Sequence, residues 1–159
     1  MRALLLLALL GLAGCGFHLR KEIELPADLA AIRVETPEPW GGLQRQLEQA
    51  LRRAGAATGA AGGAVLRVVT ASMEQKPLSI GVGGRVQEYA LEYRVDVELA
   101  DAEGRIVLPR ETLRLEREYR FDTAQAQGSP AEEEVLRADL ERAMGEAILR
   151  RIEAVLRSR

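Results

Sequence analysis

The fold is decided by residues 89–99, which read YALEYRVDVEL. Apolar side chains stand at every odd position of this stretch, and charged side chains stand at the even positions from Glu92 to Glu98. A period of two is that of a β-strand with one face buried. The stretch therefore predicts a strand whose second face, on which Arg94 lies among acidic residues, makes cross-strand ion pairs in solvent or against a partner.

The chain is expected to return along this strand as a hairpin. Residues 101–104 (DAEG) predict a turn, and residues 105–121 predict the antiparallel partner. The apolar residues of this return change from even to odd positions, and Pro109 lies at the change. We therefore expect a bulge or break near Leu108–Arg110.

Two more strands and two helices are expected around the hairpin. Residues 31–36 alternate, and residues 65–73 are apolar and β-branched, so both predict strands. Between them, leucines and alanines spaced by three and four predict a helix from Gly42 to Arg53, followed by Gly55 as a stop signal. The alanine- and glycine-rich residues 56–63 predict a loop.

A second amphipathic helix is predicted to begin at Ser129, with serine as N-cap and Pro130 at the first position, and to end at residues 157–159. Arginines near the ends of both helices are expected to complement the helix dipoles. The element order is β-α-β-β-β-α. It predicts an α+β fold: a mainly antiparallel four-stranded sheet with the two amphipathic helices packed on one face.

The N-terminus has the pattern of a secretion signal. Arg2 precedes an apolar run of residues 3–12, which is too short to span a bilayer, and the run leads into LAGC at residues 12–15. This pattern predicts a lipoprotein signal peptide at 1–14, a lipidated tether at 15–27 and a single α+β domain at 28–159. Cys15, the only cysteine, would carry acyl chains, palmitate among them, that hold the protein at a membrane. The alternative is an ordinary signal peptide with a chance cysteine.

Composition argues against catalysis and against nucleic acid. Loss of Arg2 with the signal leaves 21 basic and 24 acidic residues, which is not the basic balance of a nucleic-acid binder. The single histidine, His18, lies three residues from the anchor, and no cysteine–histidine cluster has the spacing of metal ligands. We therefore expect a non-enzymatic protein without a metal or a cofactor.

Residues 76–85 (KPLSIGVGGR) carry the strongest indication of a binding segment. They join two predicted strands, and basic Lys76 and Arg85 flank three apolar residues. The apolar residues, which we treat as a candidate partner loop, are Leu78, Ile80 and Val82. Two interpretations are open. The segment is either a hairpin loop that folds back on the sheet edge, or a probe that enters a partner or contacts an amphiphile having acyl chains and phosphates.

Residues 15–20 read CGFHLR and are followed by Leu25-Pro26. In this stretch, its most specific match, the sequence resembles the LptE family of lipopolysaccharide-assembly lipoproteins. Weaker matches are the leucine spacing of the first helix, QEY at residues 87–89 and YRFD at residues 119–122. Element order extends the resemblance over nearly the whole chain.

The resemblance implies an outer-membrane lipoprotein, lipid-anchored and facing the periplasm, that lies within the lumen of the LptD β-barrel as a one-to-one partner. It also implies a role in barrel assembly and in lipopolysaccharide insertion, with Arg85 and Lys76 as candidate lipopolysaccharide contacts. Some family members carry a basic residue before the last helix, whereas residues 123–131 here contain none. Two alternatives remain: an auxiliary lipoprotein of a lipid-transport ABC system, and a hydrolase with a non-obvious site.

Overall fold

The computed structural model describes residues 25–26, 29–39, 41–59, 63–80, 86–120 and 129–158. Within them the chain forms five strands and two helices. In chain order these are β1 (Ala31–Glu35), α1 (Gly42–Arg53), β2 (Ala57–Thr58), β3 (Ala64–Ile80), β4 (Val86–Ala100), β5 (Ile106–Arg120) and α2 (Ser129–Arg157). The predicted α+β class is confirmed, and so are the two helices.

The sheet has five described strands instead of the predicted four, in the order β2-β1-β3-β4-β5. Strands β3, β4 and β5 are antiparallel as expected, whereas β1 runs parallel to both β2 and β3. The additional strand, β2, lies in the stretch predicted as a loop. It forms because the Ala57 N–H donates to the Ala30 carbonyl at 2.7 Å, a contact between elements that a local pattern does not reveal.

The C-terminus of α1 explains how the chain reaches β2. Gly55 adopts φ 85°, a left-handed conformation that glycine adopts without strain. The Ala56 N–H donates to the Leu51 carbonyl at 3.0 Å, and the Gly55 N–H donates to the Arg52 carbonyl at 3.1 Å. These two bonds form a Schellman motif, which satisfies the last helical carbonyls and confirms the predicted helix end.

The predicted irregularity at Pro109 is confirmed. Val97 pairs with Glu111 and Leu99 pairs with Leu108, so that Pro109 and Arg110 together lie opposite one residue of β4. Proline has no N–H for the ladder, and a bulge removes the need for one. The bulge also changes which face the later side chains of β5 point to.

The core lies between the helices and one face of the sheet. Leu91, Val95 and Leu99 of β4 are fully buried, as are Leu47 of α1 and Ile148 of α2. Burying each such side chain contributes about 1.5–3 kcal/mol. Both helices therefore pack on one face, as the sequence predicts, and the opposite face of the sheet carries no described helix.

Strand β3 is longer than the sequence pattern predicts. The pattern predicts an end at Met73, but the strand continues to Ile80 and pairs with β4 as far as Val86. Ala71 and Gln75, which point to the helix side in this part of the strand, are exposed. Backbone pairing rather than apolar burial therefore holds the extension, and this is why hydrophobic periodicity does not identify it.

Candidate interaction surfaces

The helix-free side of the sheet is a charged face built by β1, β3, β4 and β5. Its central row comes from the even residues of β4, from Glu92 to Glu98, which the register places beside residues of β3 and β5. We call this side the charged face. Its ion pairs cross from strand to strand, which confirms the prediction made from the charged residues at these even positions.

Glu92 is the centre of the charged face and is only 4% exposed. Its carboxylate lies 2.9 Å from Lys76 Nζ, 3.1 Å from Arg94 Nη2 and 3.5 Å from Arg114 Nε. The hydrogen bond from Lys76 and the surrounding positive charge hold the pKa of Glu92 below its ordinary value, against the opposing effect of burial. A buried carboxylate is tolerated here because three cations compensate for the lost water.

Asp96 accepts one hydrogen bond from a threonine on each of the two neighbouring strands. Thr70 Oγ1 on β3 donates to one carboxylate oxygen at 2.8 Å, and Thr112 Oγ1 on β5 donates to the other at 2.6 Å. These two hydrogen bonds lower the pKa of Asp96, the one from Thr112 most strongly. The three side chains join the central strands on the charged face.

A third group extends the ion pairing to β1. Arg67 Nε lies 3.0 Å from Glu35, and its Nη1 lies 2.9 Å from Glu98. Glu98 in turn lies 3.5 Å from Arg110 Nε. The hydrogen bond to Glu35 raises the pKa of Arg67 most, followed by the bond to Glu98. Charges of both signs are thus paired across four strands. The surface is polar, and most of its charges have partners within the sheet.

A cleft of about 290 Å³ lies on the opposite, helix-bearing side of the sheet. The residues that matter most in its lining are Thr36, Glu38, Met73, Tyr93, Arg137 and Glu141. Burial raises the pKa of Glu141, the positive charge of Arg45 opposes this shift, and Glu38 adds to it. Burial also raises the pKa of the Tyr93 hydroxyl, and Glu141 and Glu38 act in the same direction. The cleft is therefore a partly desolvated pocket that holds two carboxylates, with the positive charges of Arg45 and Arg137 acting on one of them.

The structure describes some of the candidate residues of segment 76–85 and not others. Lys76 belongs to β3 and pairs with Glu92, although 45% of its side chain remains exposed. Leu78 is 48% exposed near the end of the same strand, and the backbone of Ile80 pairs with Val86. The first half of the predicted loop is therefore strand. Val82 and Arg85 lie outside the described residues, as do Cys15 and His18.

The sequence pattern does not identify the burial of Glu92 or the cleft. A lone glutamate among alternating charges gives no sign that three cations from three strands converge on it. The cleft likewise combines the loop after β1 with α1, β3, β4 and α2. In the described part of the chain, no group of acidic, histidine or cysteine side chains has a metal-binding arrangement. No described helix is both long enough and apolar enough to span a bilayer.

The fold is that of bacterial lipoproteins of known structure. The solution structure of lipoprotein B from Nitrosomonas europaea superposes with a TM-score of 0.72 at 30% identity, covering 87% of this chain and 91% of that chain. The crystal structure of rare lipoprotein B from Shewanella oneidensis shares the fold, with a TM-score of 0.70 at 24% identity over 80% of this chain and 97% of that chain.

The family is defined by sequence. The family model described as "LptE: Lipopolysaccharide-assembly" matches residues 29–152, and the chain therefore belongs to the LptE family. The LPS-assembly lipoprotein LptE of Photorhabdus laumondii is 28% identical over 152 residues, 94% of this chain and 82% of the relative. That of Yersinia enterocolitica is 29% identical over 161 residues, 96% of this chain and 77% of the relative. The predicted resemblance to this family is confirmed. The family is one of assembly lipoproteins, so the expectation of a non-enzymatic protein is confirmed as well.

Proposed function

We propose that this chain is an outer-membrane lipoprotein that fills the lumen of the LptD β-barrel, supports assembly of the barrel and assists lipopolysaccharide insertion into the outer leaflet. The charged face carries this proposal. Its buried Glu92 is satisfied within the sheet by Lys76, Arg94 and Arg114. The interior of a membrane β-barrel is polar, so a rigid wedge with a self-compensated charged face suits that environment.

The proposal assigns separate roles to parts of the chain. Residues 1–14 are the signal, residues 15–27 the lipidated tether and residues 28–159 the domain that enters the barrel. Cys15 supplies the membrane anchor, since several acyl chains are needed for stable attachment. Labelled palmitate should be incorporated into the wild-type protein and not into Cys15→Ser. Equal labelling of both would remove the anchor from this position.

The partner is tested by affinity purification of the full-length lipoprotein from detergent-solubilised envelopes. We expect LptD to co-purify in a one-to-one ratio. Recovery of an ABC permease without LptD would instead support the alternative, an auxiliary lipoprotein of a lipid-transport ABC system. The charge-reversed variant Glu92→Lys places four cations together on the charged face. It should lower the recovery of LptD, whereas Glu134→Lys, an exposed change on α2, should not.

Contact with lipopolysaccharide is proposed at the end of the β3–β4 hairpin. Arg85 and Lys76 would meet its phosphates, and Leu78, Ile80 and Val82 would meet its acyl chains or the barrel wall. Arg85→Glu should weaken binding of purified lipopolysaccharide to the lipoprotein. Arg33→Glu, a matched change on β1, is the control because β1 pairs with the opposite end of β3. Unchanged binding of Arg85→Glu would remove Arg85 from the site.

A further inference from the structure

Strand β3 has a long open edge. Only residues 64–67 of its seventeen residues pair with β1, and no other described strand lies beside the same edge. Residues 68–80 therefore present backbone N–H and C=O groups without a described ladder partner on that side. Exposed edges of this kind are templates for pairing with another chain. The open part of β3, residues 68–80, is longer than a whole average strand, which has about 5–6 residues.

The middle of this edge is regular. Register shifts occur between Val68 and Thr70 and again after Pro77, but residues 70–76 pair with β4 without interruption. We call residues 70–76 the β3 edge. Strand β5, at the other edge of the sheet, has a bulge at Pro109 and Arg110 and a regular stretch at residues 111–120. Regularity is therefore common to both edges, and the cleft beside β3 is what distinguishes the β3 edge.

The β3 edge borders the cleft. Ala71 and Met73 point to the helix side and line the cleft, together with Tyr93 from β4. Side chains of a strand alternate between faces, so a strand placed beside β3 would direct every second side chain toward this cleft. Tyr93 is only 5% exposed, and it lines the cleft. A polar group of an incoming strand could reach its hydroxyl there.

The charge of the cleft indicates which polar group of an incoming strand would bind there. Glu38 and Glu141 both line the cleft, and each raises the pKa of Tyr93 through its negative charge. The positive charge of Arg137 is already engaged by Glu133, at 2.9 and 2.7 Å. A basic side chain entering the cleft would therefore meet two carboxylates and a phenolic oxygen.

We propose that the β3 edge binds an extended segment of a partner protein by strand addition, and that a lysine or arginine of that segment enters the cleft between Glu38 and Glu141. Main-chain hydrogen bonds supply the affinity in this mode of recognition, and the side-chain pocket supplies the specificity. Taking LptD as the partner rests on the proposed function, and the experiment separates the two.

The test is site-specific photo-cross-linking in the cell envelope, with the full-length lipoprotein. A photoreactive amino acid replaces Thr70, Ser72 or Glu74 one at a time, and cross-linked partner positions are mapped by mass spectrometry. Strand addition predicts that all three cross-link to one partner segment, with the site moving by two residues for each two-residue step. Thr112 is the matched control, because it flanks Asp96 on β5 as Thr70 does on β3.

Each outcome decides one question. A two-residue ladder on LptD supports both proposals, and a ladder on a different protein supports strand addition while overturning LptD as the partner of the β3 edge. LptD cross-links that are scattered, or that arise from Thr112 only, overturn strand addition and leave the partnership standing. Absence of cross-links from β3 also overturns strand addition.

A charge-reversal pair tests the cleft. Glu38→Lys should reduce the yield of the Ser72 cross-link about tenfold, the change expected from roughly 1.4 kcal/mol of lost charge complementarity. Glu134→Lys makes the same charge change at an exposed site of α2 and should leave the yield unchanged. Equal yields for the two variants would overturn the proposed basic residue in the cleft.

Discussion

The carboxylate of Glu141, on α2, lies at the first turn of α1 in the space that a Cβ of Gly42 would occupy. The first turn of α1 contains no acidic residue of its own, and its N-cap, Gly41, makes no side-chain hydrogen bond. Negative charge is favourable at a helix N-terminus, so a residue from a distant part of the chain supplies what the local sequence omits. This contact ties the two helices together beside the cleft.

Gly42→Ala should destabilise the protein. The added methyl group would displace the carboxylate of Glu141, which is the end of a flexible side chain, so the cost is the loss of its negative charge at the N-terminus of α1, about 0.3–1 kcal/mol. Urea unfolding followed by circular dichroism should show a lower midpoint with an unchanged slope. A midpoint equal to that of the wild type would show that Glu141 moves aside without cost.

Gly145→Ala should have the opposite effect. Gly145 lies inside α2, and a Cβ there would meet the Cβ of Gln46 at 3.4 Å, an ordinary packing contact. Alanine is favoured over glycine within a helix by roughly 0.5–1 kcal/mol. The same unfolding experiment should show a higher midpoint. The two glycine variants thus control for each other, and a lower midpoint would mean that the helices cannot accommodate the methyl group.

Glu92→Gln should make stability less dependent on pH in the acid range. The folded-state pKa of Glu92 lies below its ordinary value of 4.5, so the ionised carboxylate stabilises the fold fully above that pH. This stabilisation is lost as the pH falls through the folded-state pKa. The variant should therefore be less stable than the wild type at pH 7, and the difference should shrink below pH 4.5.

Glu118→Gln provides the comparison for this measurement, because Glu118 is an exposed glutamate on the same face. Its pH profile should follow that of the wild type. A constant gap between wild type and Glu92→Gln at every pH would contradict the ion-pair explanation and point to a packing defect instead.

Tyr119→Leu should cost more stability than Tyr119→Phe. The ring of Tyr119 stacks on Tyr89 with centroids 5.8 Å apart, and its hydroxyl accepts a hydrogen bond from Gln75. Phenylalanine retains the stack and loses the hydrogen bond, whereas leucine loses both. Aromatic pairs contribute about 0.5–1.5 kcal/mol beyond their buried area. Thermal unfolding of the two variants should separate these contributions, and equal losses would show that the stack adds nothing.

Part of the interaction surface could be predicted from the sequence. The alternation of Glu92, Arg94 and Asp96 predicted a paired charged face, and the structure confirms it through contacts with Lys76, Arg114 and two threonines. That Glu92 would be buried could not be predicted. Burial depends on how many long side chains from neighbouring strands converge on one point, and this requires the register.

The sequence by itself determined the elements of this protein whose signals are local. The period of two in β4, the leucine spacing of α1, the stop at Gly55 and the displaced ladder at Pro109 are all properties of neighbouring residues. Each depends on the backbone geometry of one segment, which a short stretch of sequence specifies. The CGFHLR stretch likewise carries the most specific part of the family resemblance in six consecutive residues.

Only the tertiary structure decided the features that form where elements distant in the chain come into contact. The parallel pairing of β1, the two-residue β2 and the extension of β3 to Ile80 are held by backbone hydrogen bonds between strands, which carry no side-chain signature. The contact of Glu141 with Gly42 and the cleft beside the β3 edge join residues that are far apart in the chain or drawn from four elements. Proximity of this kind is set by packing, and no local pattern encodes it.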